Sequence, residues 1–260
     1  MEYKTVDEFI QNAGYDIEGT WMPRVTKIVE IKAKPALYKF YGGLSSFEQG
    51  EAIKARSAQE GTLVHETIEG ILMNSSSPIP PEAQSIANAF LAFQEQQSIV
   101  VRPEFVEYRI AHQGEKYAGT IDAVATIGGK TGVLDIKTSQ SIYRDYNLQT
   151  AAYMAALENE IPRLETRWIL RIDQHRVCSL CGALLRSKGG VNKVRPQWNG
   201  SKTDYARSMQ CQHQWSSPVG DIELKEFPHW KDDLRAFLGA KALWEWEHED
   251  VLKKIGYLKG

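Results

Sequence analysis

The stretch YAGTIDAVATIGGKTGVLDIK, residues 117–137, decides the fold of this chain. Its two halves are rich in apolar and β-branched residues, and the Gly128-Gly129 pair between them is typical of a tight turn that joins antiparallel strands. The segment before it also alternates with a period of two. The pattern therefore predicts a three-stranded meander. The predicted strands are Glu104–His112, Tyr117–Ile127 and Thr131–Thr138.

Segments with helical periodicity precede and follow this meander in the sequence. Apolar residues recur at helical spacing in four segments, and residues 1–60 are predicted to be mostly helical. Strands that follow one another, with helices on either side, favour an α+β domain over a doubly wound sheet. The predicted helices span about 61–73, 82–97, 142–159 and 228–252, and two further strands are predicted at Thr166–Asp173 and Asp221–Glu226.

The composition indicates an ordinary globular protein. The 260 residues are 42% hydrophobic and 25% charged, with a net charge of −2, which excludes the disordered and disulfide-scaffold classes. No apolar run approaches the roughly 18 residues of a membrane helix. Residues 1–8 are too acidic for a transit peptide and lack a signal-peptide core. We expect a cytoplasmic protein without a membrane partner, encoded by a cell or by a virus that acts in its host's cytoplasm.

The charge is distributed unevenly. Residues 174–216 contain seven Lys or Arg residues and one Asp, a net charge of +6, whereas the remainder carries −8. A basic block on an acidic body indicates a polyanionic partner such as DNA, although a solvated loop explains the charge equally well. We therefore divide the chain into a main domain, 1–173 with 217–260, and a basic insert, 174–216.

Three charged residues in the meander point to chemistry. Asp135 and Lys137 are two apart on a strand, so their side chains leave the same face, and Asp122 lies on the neighbouring strand. Two converging carboxylates repel each other unless a cation lies between them, and their oxygens suit Mg²⁺ or Mn²⁺. The lysine would then stabilise negative charge during hydrolysis. A surface ion pair between Asp135 and Lys137 is the alternative.

Further candidates lie on the neighbouring elements. His65, in Gly-Thr-Leu-Val-His, is either a metal ligand or a packed histidine. Glu107 either approaches the same site or is solvated. Gln149 and Tyr153 are four apart on a predicted helix and so share a face, where they either contact a phosphate or form an ordinary surface pair.

These motifs occur in a familiar order. Gly-Thr-x-x-His65, Gly-x-x-Asp122, Asp135-x-Lys137 and Gln149-x-x-x-Tyr153 together resemble the RecB-like branch of the PD-(D/E)XK nuclease superfamily, over about residues 23–173. That branch includes phage and mitochondrial genome maintenance exonucleases. The resemblance implies a restriction-endonuclease-like core and a Mg²⁺- or Mn²⁺-dependent deoxyribonuclease, most simply an exonuclease. A non-catalytic DNA-binding subunit of a recombination, repair or replication complex, and an RNA-directed nuclease, remain alternatives.

The resemblance also assigns roles to individual residues. It implies that Lys137 is the catalytic lysine, and that Asp122 and Asp135 are catalytic acidic residues. It implies that the metal ligands are His65, Asp122, Asp135 and the backbone carbonyl of Ile136. Gln149 and Tyr153 would position DNA, which is expected to be single-stranded or to have free ends.

All three cysteines lie in the basic insert, as Cys178-Ser-Leu-Cys181-Gly and Cys211-Gln-His213. This spacing predicts a structural Cys₃His zinc site, with His175 as an alternative fourth ligand. A redox pair or three unrelated thiols are the competing interpretations. Some relatives of the resembled family hold an iron–sulfur cluster on four cysteines, one of them upstream, but this chain has no cysteine before 178.

Aromatic residues are interleaved with the basic residues of the insert. They either stack on unpaired bases or pack the small zinc module. They are Trp198, Tyr205 and Trp215.

Overall fold

The computed structural model describes residues 3–197 and 202–259, which form nine α-helices and eleven β-strands. The helices are α1 (Val6–Ala13), α2 (Val25–Val29), α3 (Pro35–Gly42), α4 (Phe47–Leu72), α5 (Gln84–Gln97), α6 (Tyr146–Leu157), α7 (Lys202–Met209), α8 (Lys231–Glu247) and α9 (Glu249–Lys254). The strands are β1 (Gly14–Ile17), β2 (Thr20–Pro23), β3 (Val100–Val101), β4 (Tyr108–His112), β5 (Tyr117–Ile121), β6 (Ala123–Ile127), β7 (Lys130–Lys137), β8 (Leu164–Val177), β9 (Leu184–Lys188), β10 (Val191–Arg195) and β11 (Val219–Glu226).

A mixed sheet occupies the centre of the molecule. Its strands follow the order β10-β9-β8-β7-β6-β3, and β11 pairs with the remaining edge of β8. Strands β7 and β8 are parallel, with Asp135 opposite Ile169, and the other pairs are antiparallel. A parallel pair needs a crossover connection, which α6 provides. The prediction of a mixed α+β fold is confirmed.

The two faces of this sheet bury separate hydrophobic cores. Leu134 and Ile136 of β7 pack in the core that α4 and α5 cover, whereas Val133 packs in the core that α6 and α8 cover. Successive strand residues point to opposite faces. Asp135 and Lys137 therefore lie on the α6 face of the sheet, as their spacing predicts.

The predicted meander is interrupted. The second strand breaks at Asp122, so β5 pairs with β4 in a separate two-stranded ladder and β6 pairs with β7 in the main sheet. The first strand begins at Tyr108 rather than at 104, because Pro103 starts a short 3-10 turn and Glu107 has a φ of +48°. The predicted Gly128-Gly129 turn is present, and both glycines have positive φ.

Several predicted helix bounds were wrong. The helix expected from residue 61 begins at Phe47, where the Ser46 side chain accepts a hydrogen bond from the Gln49 amide. The 142–159 helix spans only Tyr146–Leu157, and the last predicted helix is two helices, α8 and α9. Residues 1–60 also contain the β1–β2 hairpin, which the prediction of a mostly helical segment missed.

The basic insert extends the central sheet. Strand β8 was predicted to end at Asp173 but continues to Val177, and the chain then forms the β9–β10 hairpin and α7 before it returns as β11. Strand β11 confirms the strand predicted at 221–226 and is slightly longer. Within the described ranges, no helix combines the length and apolar character needed to cross a membrane.

Candidate functional site

A cleft of about 660 Å³ opens at the end of β7, where β5 and β6 separate. Helix α4 forms one wall and α6 another. Side chains from all four sequence motifs meet at this cleft, together with Glu107. Those that line it are His65, Glu107, Asp122, Lys137, Gln149 and Tyr153.

Asp135 and Lys137 form an ion pair beside this cleft. The Lys137 Nζ lies 2.7 Å from Asp135 Oδ2, and only 1% of Asp135 is exposed. The pair is therefore buried, and the alternative of a surface ion pair on an exposed strand is wrong. Gln149 Nε2 donates to Asp135 Oδ1 at 3.3 Å and to the Tyr153 hydroxyl at 2.8 Å. The Gln149 side chain thus links Tyr153 on α6 to the Asp135–Lys137 pair on β7.

Asp122 lies at the strand break, where its carboxylate lies close to both β7 and α4. Its Oδ2 accepts a hydrogen bond from the Ile136 amide, and its Oδ1 lies 3.8 Å from His65 Nδ1. The N–H and C=O of one strand residue face the same edge. The Ile136 carbonyl therefore faces the edge at which Asp122 lies, as the resemblance requires of a ligand.

Burial and charge set the protonation of this group. Burial, with the charge of Asp122, raises the pKa of Asp135 to about 6, although Lys137 opposes the rise. Burial also raises the pKa of Asp122. Burial opposes the charge on Lys137, but the two aspartates outweigh it and raise its pKa. Burial and the nearby Lys137 charge lower the pKa of His65, so its imidazole is neutral at pH 7.

Two glycines of the motifs allow close packing at the site. A Cβ on Gly119 would lie 2.6 Å from Cε1 of Tyr153, and a Cβ on Gly61 would lie 2.9 Å from the Thr138 hydroxyl. Distances below 3.0 Å are not found for real Cβ atoms. Gly119 therefore lets α6 approach β5, and Gly61 lets α4 approach the end of β7.

The donor set suits a divalent cation in its chemistry, but its atoms are not gathered into a compact site. The buried Asp135 carboxylate and the partly exposed Asp122 carboxylate lie near a single ammonium, that of Lys137, which leaves negative charge for a cation to balance. However, the ligand atoms of His65, Asp122 and Asp135 do not all lie within 4.8 Å of one another. Glu107 lines the cleft, where partial desolvation and the charge of Asp122 raise its pKa to about 7.

Sequence reasoning missed several residues at this cleft. Glu69 lies one helical turn after His65 on α4 and lines the same wall, and its i+4 spacing could have identified it. Tyr15 comes from the unpredicted β1–β2 hairpin, so no pattern indicated it. Its ring lies between the guanidinium groups of Arg24 and Arg109, 4.3 and 4.4 Å from its centroid.

A second candidate site lies in the insert. The ligand atoms of four residues lie within 4.8 Å of one another, and among the described residues no other Cys, His, Asp or Glu group is as compact. Cys178 Sγ lies 3.9 Å from Cys211 Sγ, and Cys181 Sγ lies 3.4 Å from His213 Nδ1. The four residues are Cys178, Cys181, Cys211 and His213, so this group could bind a metal such as zinc. His175 is not part of it; it pairs with Val219 on β11.

Backbone hydrogen bonds fix the loop that carries Cys178 and Cys181. Gly182, with a φ of +73°, donates to the Cys178 carbonyl, and Cys178 donates to the Ala183 carbonyl. Cys178 is buried, which opposes ionisation, but the hydrogen bond from His213 and several backbone amides lower the pKa of its thiol to about 6. No disulfide links the cysteines. The arrangement favours metal binding over a redox pair.

The aromatic residues of the insert differ in their surroundings. The Trp215 ring lies 4.5 Å from the His213 ring, so Trp215 packs against the Cys₃His group. Tyr205 is 44% exposed on α7. Trp198 lies outside the described residues.

The cleft brings carboxylates, an imidazole and an ammonium together. Hard oxygen donors and a neutral imidazole can hold a cation, and the adjacent buried lysine can stabilise charge that develops on a phosphoryl group. No protein-family model matches the chain, and no curated protein matches it.

Proposed function

We propose that the protein is a metal-dependent deoxyribonuclease, of the RecB-like PD-(D/E)XK kind, that degrades DNA from an end. The observation that carries the proposal is the buried Asp135–Lys137 pair at the cleft, with Asp122 and His65 beside it. The succession of a strand pair, the crossover helix α6 and the parallel strand β8 supports a restriction-endonuclease-like core.

The residues of the cleft take distinct roles in this proposal. His65, Asp122, Asp135 and the Ile136 carbonyl hold Mg²⁺ or Mn²⁺. Such an ion polarises a phosphoryl oxygen and lowers the pKa of a bound water. Lys137 stabilises the negative charge that develops at the scissile phosphate. Gln149 fixes the Asp135 carboxylate through its side-chain amide and, with Tyr153, positions the DNA backbone.

Attack from a strand end is favoured over sequence-specific cutting. Specific readout needs side chains in the major groove, whereas the helices that wall the cleft, α4 and α6, contribute the proposed ligand and positioning residues themselves. The basic insert suits backbone contacts that do not depend on sequence. We also propose that the Cys₃His group binds one structural zinc ion, which holds the insert together.

A non-catalytic DNA-binding protein is the second candidate. The spread of the His65, Asp122 and Asp135 ligand atoms favours it, because a metal-ready site would gather them more closely. An RNA-directed nuclease uses the same cleft chemistry. The experiment below separates these functions.

The test compares two lysines of the same strand. Lys137→Ala removes the cleft ammonium, and Lys130→Ala removes an exposed lysine on β7 that pairs with Glu226 outside the cleft. Each variant is incubated with labelled linear DNA or RNA in Mg²⁺, in Mn²⁺ and without added metal. We expect Lys137→Ala to slow DNA cleavage by about 100-fold or more, since charge stabilisation contributes at least that much. We expect DNA binding to persist and Lys130→Ala to match wild type.

Other results assign a different function. Wild-type protein that binds DNA but cleaves neither polymer in any metal identifies the non-catalytic DNA-binding protein. Preferential cleavage of RNA identifies the RNA-directed nuclease. Cleavage that survives Lys137→Ala within a few-fold contradicts the assignment of the site.

A further inference from the structure

The β9–β10 hairpin of the insert carries its basic residues on one face. Arg186 and Lys188 alternate along β9, and Lys193 lies directly opposite Arg186 on β10, with Arg195 two residues further on. Residues opposite each other in an antiparallel pair, and residues two apart on a strand, share a face. The four cations therefore form one surface, the cationic hairpin face.

Three of these cations are free to bind an anion. Arg186 already pairs with Asp173. Lys188, Lys193 and Arg195 have no hydrogen-bond or ion-pair partner anywhere in residues 3–197 and 202–259. Alternate residues on a strand lie about 7 Å apart. This spacing is comparable to the distance between successive phosphates of an extended single strand.

Lys188 connects this face to the cleft. It is partly buried and lines a cavity of about 380 Å³, together with Arg56 and Thr138. Thr138 also lines the cleft. The cavity and the cleft therefore adjoin each other at Thr138, which lines both.

The hairpin turn is fixed against α4. The Gly189 amide donates to Glu60 Oε2 at 2.9 Å, and a Cβ on Gly189 would lie 2.6 Å from the Ile53 carbonyl oxygen. Gly189 and Gly190 both have positive φ, which glycine adopts without strain. Lys188 is therefore held at a defined position, unlike a cation on a loose surface loop.

We propose that the cationic hairpin face binds the phosphate backbone of single-stranded DNA and guides the strand past Lys188 and Thr138 to the cleft. This inference rests on the proposed function, because it supplies the DNA path for the same site. It assigns the insert a direct role in holding substrate.

The test removes the three cations and compares the loss with a charge-matched control. The hairpin variant is Lys188→Gln with Lys193→Gln and Arg195→Gln. The control variant replaces three exposed lysines that line neither the cleft nor the cavity: Lys4, Lys231 and Lys254, each to Gln. Binding of a fluorescent oligo(dT) is measured by anisotropy at several salt concentrations, without added divalent metal and without chelator, so that no DNA is cut and zinc is retained.

We expect the hairpin variant to bind about 10- to 100-fold more weakly, and its slope of log K against log salt to fall by about 2, because each single-strand phosphate contact contributes roughly 0.7. The control should match wild type. A double variant, Lys193→Gln with Arg195→Gln, changes only exposed side chains and should lower the slope by about 1.4. An unchanged midpoint of urea unfolding shows that each variant is folded.

Two results would overturn the inference. If wild type binds and both hairpin variants match it in affinity and slope, the hairpin does not hold DNA, although the proposed function stands. If wild type itself neither binds nor cleaves DNA, the proposed function and the inference both fail.

Discussion

Replacing Gly119 with alanine should loosen the packing that places α6 against the cleft. The new Cβ would lie 2.6 Å from Cε1 of Tyr153 and 3.5 Å from its Cδ1 and Cζ. Tyr153 is only 2% exposed, so a shift of its ring disturbs the side chains packed around it. Any displacement also disturbs Gln149, which hydrogen-bonds both Tyr153 and Asp135.

The size of the effect follows from two opposing contributions. Overpacking a buried position costs about 1–3 kcal/mol, whereas replacing a strand glycine by alanine recovers about 0.5–1 kcal/mol of backbone entropy. We therefore expect a net loss of about 1.5 kcal/mol in the free energy of unfolding. For a chain of this size, that loss lowers Tm by about 3–6 °C.

Urea unfolding followed by tryptophan fluorescence measures this loss. Gly239→Ala is the matched control, because Gly239 is an exposed position of α8 and nothing lies within 4 Å of the added Cβ. This substitution should stabilise the helix by up to about 1 kcal/mol. In a Tyr153→Leu background, the cost of Gly119→Ala should largely disappear, since the overlapping ring atom is gone. An equal cost in both backgrounds, or a Gly119→Ala protein as stable as wild type, would refute the packing argument.

Three further predictions concern the insert and the core. Purified protein should contain about one zinc per chain. The Cys178→Ser variant should lose this zinc and bind DNA more weakly, while its main domain stays folded. Bound iron, or no bound metal, in the wild-type protein contradicts the zinc site. Gly132→Ala should prevent stable folding, because its Cβ would lie 2.0 Å from the Thr166 carbonyl oxygen, which is backbone and cannot rotate away; soluble, cooperative expression argues against this contact. Asp233→Ala should cost about 3 kcal/mol in urea unfolding, since it leaves the fully buried Arg167 without its carboxylate; a loss below 1 kcal/mol contradicts that reasoning.

Local periodicity identified the residues that share an element. Asp135 and Lys137 lie on one face because strand side chains alternate, and Gln149 and Tyr153 meet because helix positions four apart are neighbours. The Cys₃His group followed from spacing alone, since two short motifs with the right ligands need only be brought together by a hairpin. These features depend on rules that act over a few residues.

Features that depend on tertiary contacts were not visible in the sequence. The break at Asp122 interrupts an apolar run that contains no proline, and it is marked only by the hydrogen bond from the Ile136 amide. The first half of α4 buries little apolar surface, so its periodicity gave no signal before Gly61. Tyr15 reaches the cleft because the β1–β2 hairpin packs against β5, a contact between segments about 100 residues apart.

The proposed exonuclease activity is tested most directly on DNA with and without ends. Linear single-stranded DNA, labelled at either terminus, and a circle of the same sequence are incubated with wild-type protein in Mg²⁺ or Mn²⁺, with Asp135→Asn as the inactive comparison. We expect the linear strand to be degraded progressively from a terminus while the circle survives, and Asp135→Asn to leave both intact. Loss of the circle at the rate of the linear strand would show endonuclease action, and cleavage by Asp135→Asn at the wild-type rate would contradict the assignment of the cleft as the active site.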